Sequence, residues 1–266
     1  MHKDVIKAFA YRTVCTIQSL RVLYAARVNR RSLPNAIERC KNPERMTKAE
    51  VCASIEKVGI IPAVRVNDPE QARYAGEALV RAGIPIAEIT MTVPKGLEVV
   101  AHLAKELPGL VVGAGTVLDE ELAKRCVDAG AKFLTSPGLV LEVVNLAVKK
   151  DVVVFPGALT PSEVIAAWKA GSDYVKIYPC SQVGGYPYIR ALKVPLPQVR
   201  MIASGGVNLQ NGMHYLQAGA VALGVGGDLI PREALERRHE QQIHELARRY
   251  LAMVRETHAM QTAGGK

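Results

Sequence analysis

From about Val58 the chain repeats one pattern: a short apolar run, a turn residue, then a longer stretch of mixed apolar and charged positions. Short apolar runs punctuated by glycine and proline predict buried strands, and the mixed stretches predict helices with one apolar face. The first strand candidate covers residues 59–65. Asp68-Pro69-Glu70 then opens a helix with a cap residue and a proline in its first turn, and Ala82-Gly83 closes it. Further strands are expected over 84–90, 110–113, 132–135, 152–155, 173–179, 199–203 and 220–225. The helices between them are expected over 96–107, 119–129, 139–149, from Thr160, over 184–192 and over 208–218, with a long charged helix over 231–258. Thr160-Pro161-Ser162-Glu163 has the spacing of a capping box.

Ala-Gly recurs just before strands, at residues 82–83, 129–130, 170–171 and 218–219. Eight strand-then-helix units with short apolar strands predict an α/β fold, a closed (β/α)8 TIM barrel occupying residues 46–266 as one domain. An open doubly wound sheet is the alternative. A barrel places its active site at the carboxyl ends of the strands.

One of the strands is unusual. In Asp173-Tyr174-Val175-Lys176-Ile177-Tyr178-Pro179 a lysine sits inside an apolar run. Alternation puts Lys176 on one face with Tyr174 and Tyr178, and Val175 and Ile177 on the other. A buried ammonium is costly unless it is paired, neutralised or used, so a reactive amine is the favoured reading and a snorkelling surface lysine the bland one.

The other predicted strand ends supply Arg65, Glu88, Thr90, Thr116, Ser136, Phe155 and the glycine pairs Gly205-Gly206 and Gly226-Gly227. One lysine, one glutamate and one arginine together suit carbonyl chemistry. Schiff-base formation needs an unprotonated amine, a group that moves protons and a cation for a carboxylate. Glu88 as a purely structural partner of Lys176 is the plain alternative. Glycine pairs after strands seven and eight lie where barrels commonly bind phosphate.

Composition changes the picture in one place. Of 34 basic and 25 acidic residues, ten and three fall within residues 1–45, leaving 24 and 22 for the rest. Seven of the nine net positive charges therefore belong to a basic N-terminal extension, and no nucleic-acid partner is expected. An organelle transit peptide shares that composition; the simpler expectation is that translation begins at Met46 and the extension is not native. No apolar run is long enough for a membrane helix. Five scattered cysteines suit a reducing, cytoplasmic setting. Histidines 102, 214, 239, 244 and 258 fall on predicted helices without ligand spacing, so neither a metal nor a cofactor is expected.

With these residues in view, positions 46 to about 237 resemble the bacterial 2-keto-3-deoxy-6-phosphogluconate aldolase family, which also cleaves 4-hydroxy-2-oxoglutarate. The stretches that carry the resemblance are Pro62-Ala63-Val64-Arg65, Glu88-Ile89-Thr90, Gly113-Ala114-Gly115-Thr116-Val117, Ser136-Pro137-Gly138, Phe155-Pro156-Gly157, Val175-Lys176-Ile177-Tyr178-Pro179 and Ser204-Gly205-Gly206-Val207. The resemblance implies a homotrimeric, metal-independent class I aldolase that splits a 2-keto-3-deoxy sugar acid into pyruvate and an aldehyde. It assigns Lys176 to the imine and Glu88 to proton transfer. It places Arg65, Thr90 and Thr116 in substrate binding, with Pro137, Phe155 and Tyr178 as apolar walls. Ser204, Gly205, Gly206, Gly226 and Gly227 take the phosphate. Two positions depart from the family: Thr92, where some members have arginine, and Asp228, where relatives have serine. A barrel isomerase or decarboxylase, or a sugar-acid binding protein without catalysis, remains the alternative at this stage.

Overall fold

The structure, a computed structural model, describes residues 46–264; the expected basic extension lies outside these residues. A helix absent from the sequence reading opens it: α1, Lys48–Val58. Thr47 caps it reciprocally, its hydroxyl accepting from the Glu50 N–H while the Glu50 carboxylate accepts from the Thr47 N–H. Gly59, at φ 68°, ends it in the left-handed region. Only Val51 and Ile55 of this helix are buried, too few apolar positions to mark it in the sequence.

The barrel follows as β1 (Ile60–Val64), α2 (Pro69–Arg81), β2 (Ile86–Thr90), α3 (Gly96–Glu106), β3 (Val111–Gly115), α4 (Glu120–Asp128), β4 (Phe133–Thr135) and α5 (Leu141–Lys149). It continues with β5 (Val153–Phe155), β6 (Gly157–Ala158), α6 (Pro161–Lys169), β7 (Val175–Ile177), α7 (Tyr186–Lys193), β8 (Met201–Ser204), α8 (Gly212–Gln217) and β9 (Ala220–Val225). Every pairing is parallel, and the order β5-β4-β3-β2-β1-β9-β8-β7-β6 brings the two ends of the sheet together at Pro156. The expected eight strands are present, with the fifth split in two. Proline has no N–H to give to a ladder, so β5 pairs with β4, β6 pairs with β7, and the chain itself closes the ring. The repeated Ala-Gly pairs end helices: Gly83, Gly130, Gly171 and Gly219 all have positive φ.

The expected single helix over 231–258 is instead two, α9 (Arg232–Glu236) and α10 (Glu240–Gly264). Between them Arg238 takes φ 52° and lays its guanidinium over the Tyr74 ring, 5.4 Å from the centroid, while Glu240 receives two hydrogen bonds from Arg81. The bend lets Ala234 and Leu235 of α9 bury themselves before α10 runs along α2. Charged residues occupy the break, so the periodicity carries no trace of it.

Alternation along the strands divides the core in two. Ile60, Val64, Ala87, Ile89, Val112, Leu134, Val154, Val175 and Ile177 face the helices. Ile61, Ile86, Val111, Phe133, Val153, Phe155, Tyr174, Ile202 and Ala222 fill the interior, where Val51 and Ile55 of α1 plug the amino-terminal end. Phe133 stacks on Phe155 at 5.1 Å and Phe155 meets Tyr174 edge-on at 6.2 Å.

Candidate active site

Two residues further along the inward face of β2, β3, β7, β8 and β9 the filling changes. Ile86 gives way to Glu88, Val111 to Gly113 and Gly115, Tyr174 to Lys176, Ile202 to Ser204, and Ala222 to Gly224. This layer trades bulk for glycine and a few polar groups, and the barrel mouth opens into a cavity of about 400 Å³.

Lys176 does not snorkel. The residue is 8% exposed and Glu88 3% exposed, with the Lys176 Nζ 3.7 Å from the Glu88 Oε1. The ammonium also stands 5.4 Å from the centroid of the Tyr178 ring. Glu88 reaches this position because residue 115 has no side chain: a Cβ there would lie 2.1 Å from the Glu88 Oε1. A Cβ at Gly224 would likewise come within 2.7 Å of the Ser204 hydroxyl. Glycine on two inward positions thus makes room for the polar groups of their neighbours.

Arg65, at the end of β1, is exposed at the rim and forms no ion pair with another described residue. Beside it lie Gly226, Gly227 and Asp228 after the paired strand β9, and next to them Ser204, Gly205 and Gly206 after β8. The N–H groups of Gly206 and Gly227 donate to no other described group. Gly206 is held against Ser181, whose hydroxyl would be 2.1 Å from a Cβ placed there. Ile230, Arg232 and Leu235 complete the wall; sequence reasoning placed Arg232 and Leu235 on a helix without foreseeing that its start folds over the mouth.

Of the residues named from the sequence, the cavity gathers Arg65, Glu88, Lys176, Tyr178, Ser204, Gly205, Gly206, Gly226 and Gly227. It does not include Thr90, Thr116, Pro137 or Phe155. Phe155 was expected as a wall of the site, but it lies in the packed interior with Phe133 and Tyr174. The buried Thr90 hydroxyl donates to the Val64 carbonyl and stands 2.8 Å from the Thr92 hydroxyl, which ties both side chains to each other. Thr116 adopts φ 58° on the β3 side, and Pro137 is exposed. Tyr186 and Tyr188 are occupied elsewhere: Tyr186 packs on His214 at 5.0 Å, and the Tyr188 hydroxyl donates to the Leu159 carbonyl.

A buried amine against a buried carboxylate at the mouth of a parallel barrel is the arrangement an imine-forming enzyme needs. Comparison with known proteins gives the family. The family model "KDPG and KHG aldolase" matches residues 51–246. The chain belongs to the KDPG and KHG aldolase family. It is 32% identical over 189 residues to the KHG/KDPG aldolase of Escherichia coli K12, covering 71% of this chain and 89% of that one. A crystal structure of KDPG aldolase from Legionella pneumophila, with pyruvate captured as a covalent carbinolamine, superimposes with TM-score 0.70 at 28% identity, covering 76% and 97% of the two chains. A cube-shaped protein cage designed by fusing symmetric oligomeric domains matches with TM-score 0.71 at 27% identity, covering 78% of this chain and 76% of that one. As a family member this chain is a lyase, a class I aldolase acting on 2-keto-3-deoxy sugar acids.

Proposed function

We propose that Lys176 is the amine that forms the Schiff base and that Glu88 is the proton carrier of this aldolase. The carrying observation is their 3.7 Å approach inside the barrel mouth, both buried. The Lys176 Nζ adds to the C2 carbonyl of the keto acid, and loss of water leaves an iminium. Glu88 accepts the proton of the C4 hydroxyl as the C3–C4 bond breaks. The bonding electrons move into the iminium, giving an enamine and a free aldehyde. Glu88 returns a proton to C3, and water hydrolyses the imine to release pyruvate and the amine. Arg65, at the rim and without an ion pair among the described residues, suits the substrate carboxylate. Tyr178 lines the wall beside the amine. Ser204, Gly205, Gly206, Gly226 and Gly227 receive the far end of the substrate. Thr90, Thr116, Pro137 and Phe155, which the resemblance also assigns to substrate binding, lie outside the lining of this cavity.

Incubation with pyruvate and borohydride tests it. An irreversible adduct on Lys176, absent from Lys176→Ala, is expected; a folded protein that takes up no pyruvate overturns the assignment. The chain is further proposed to work as a cytoplasmic homotrimer, supported by its family and by its likeness to a chain built from oligomeric domains. Sedimentation as a monomer would refute the trimer. Among the described residues no helix is long and apolar enough to cross a membrane.

A further inference from the structure

Gly205 and Gly206, at φ 90° and 77°, both line the cavity. A peptide between two glycines has no side chain to fix its direction, so either its carbonyl or its N–H can be turned toward a ligand. The choice decides whether the wall offers an acceptor or a donor. Here the Gly205 carbonyl is occupied: it accepts from the Ser181 N–H at 3.1 Å and from the Cys180 thiol at 3.4 Å. The peptide is trans, so its N–H points the opposite way from its carbonyl. The Gly206 N–H is therefore turned away from Cys180, and it donates to no described group.

Cys180 opens the short 3-10 turn Cys180–Val183 that follows β7, and it is fully buried. With its S–H given to the Gly205 carbonyl, its sulfur accepts from the Tyr215 hydroxyl on α8. Burial pushes both the thiol and the Tyr215 phenol up, so each keeps its proton at neutral pH and the chain of donors from α8 to the glycine pair stays intact. The Ser181 donor is a backbone group that any residue except proline would supply; the thiol is a contribution of the side chain at 180. We infer that Cys180 is a positioning residue, whose thiol holds the Gly205–Gly206 peptide with its N–H toward the cavity and so presents a donor to the far end of the substrate. This inference rests on the aldolase reading above, which gives these glycines to that end. A reversed peptide would turn a carbonyl oxygen to the substrate and repel any oxygen there that carries no proton.

Condensation of pyruvate with racemic glyceraldehyde and with racemic glyceraldehyde 3-phosphate tests this, the variants being compared on whichever aldehyde the intact enzyme uses better. In Cys180→Ala, and in Cys180→Val, which fills the space without a donor, the KM for that aldehyde should rise about three- to tenfold, the effect of one modest hydrogen bond. The kcat should change by less than about twofold, because the imine chemistry at Lys176 is untouched. Cys180→Ser, which restores a donor, should lie within about twofold of the intact enzyme in both constants. The denaturant midpoint shows that each variant is folded, and the valine variant carries the comparison if the alanine variant is not. An unmoved KM in the variants without a donor overturns the inference, as does a rise that serine fails to reverse, a kcat that falls in step with the rise in KM, or condensation with neither aldehyde. Pyruvate trapping with borohydride separates the two levels. If Lys176 is labelled in the intact enzyme while KM stays fixed across the variants, Cys180 alone has been misread; if nothing is labelled, the aldolase assignment falls with it.

Discussion

The two ends of the barrel interior are built from the same strands, two residues apart, and they obey opposite rules. At the amino-terminal end Phe133, Phe155, Tyr174, Ile61, Ile86 and Ile202 pack against Val51 and Ile55 of the plugging helix. The polar groups there are matched: the Tyr174 hydroxyl donates to Glu56 at 2.9 Å, Arg200 pairs with Glu56 at 3.1 Å and stacks over the Tyr174 ring at 4.5 Å, and Lys48 pairs with Asp173 at 3.1 Å. At the carboxyl end bulk is replaced by glycine, and one buried ion pair stands in place of an apolar layer. A buried pair seldom stabilises a fold: apolar residues of equal volume often do as well or better, by about 1–4 kcal/mol. Stability is therefore concentrated below the lysine, and the layer at the lysine is the one proposed for chemistry.

The strongest way to break that contrast is Phe155→Ala. Opening a hole in the lower layer should cost about 3–5 kcal/mol, read from the denaturant midpoint. Turnover per folded molecule should change by less than about tenfold, since the side chain does not reach the cavity; a proportionate loss of kcat would show that the two layers are not separate. The converse change is Gly115→Ala. A methyl at this position meets the Glu88 carboxylate at 2.1 Å, so the carboxylate must move. A fall in kcat/KM on the order of 10²-fold is expected, the lower range of what a displaced proton-transfer group costs. The midpoint should shift by less than for Phe155→Ala, and unchanged kinetics would mean that Glu88 does not need its present position.

Much of this division was legible before any coordinates. Period-two alternation was enough to put Lys176 on the interior face with Tyr174, because a strand between Gly171 and Pro179 leaves few other registers. Glu88 came only from its place at the end of the second predicted strand. Depth along the strand was not legible: Phe155 reads as a strand-end residue and Lys176 as one inside its strand, whereas the pairing of Gly157, rather than Phe155, with Lys176 places the ring a layer lower. Thr90 looked like a substrate ligand, yet its hydroxyl is taken up by a carbonyl on the neighbouring strand, a contact between residues 26 positions apart. The helix Lys48–Val58 and the bend at Arg238 escaped because each depends on long-range packing with little local signal.

Pro156 carries one more implication. Strands β5 and β6 turn their hydrogen bonds to opposite neighbours, and the lysine's own amide donates to the Pro156 carbonyl at 2.9 Å. The circle is thus fastened at that residue by a covalent joint instead of a ladder, right beside Lys176. A circular permutant with its new ends there would keep every strand pairing and still possess an unlatched sheet, so the position of a chain break, and not the inventory of contacts, would separate a barrel from a curved ribbon.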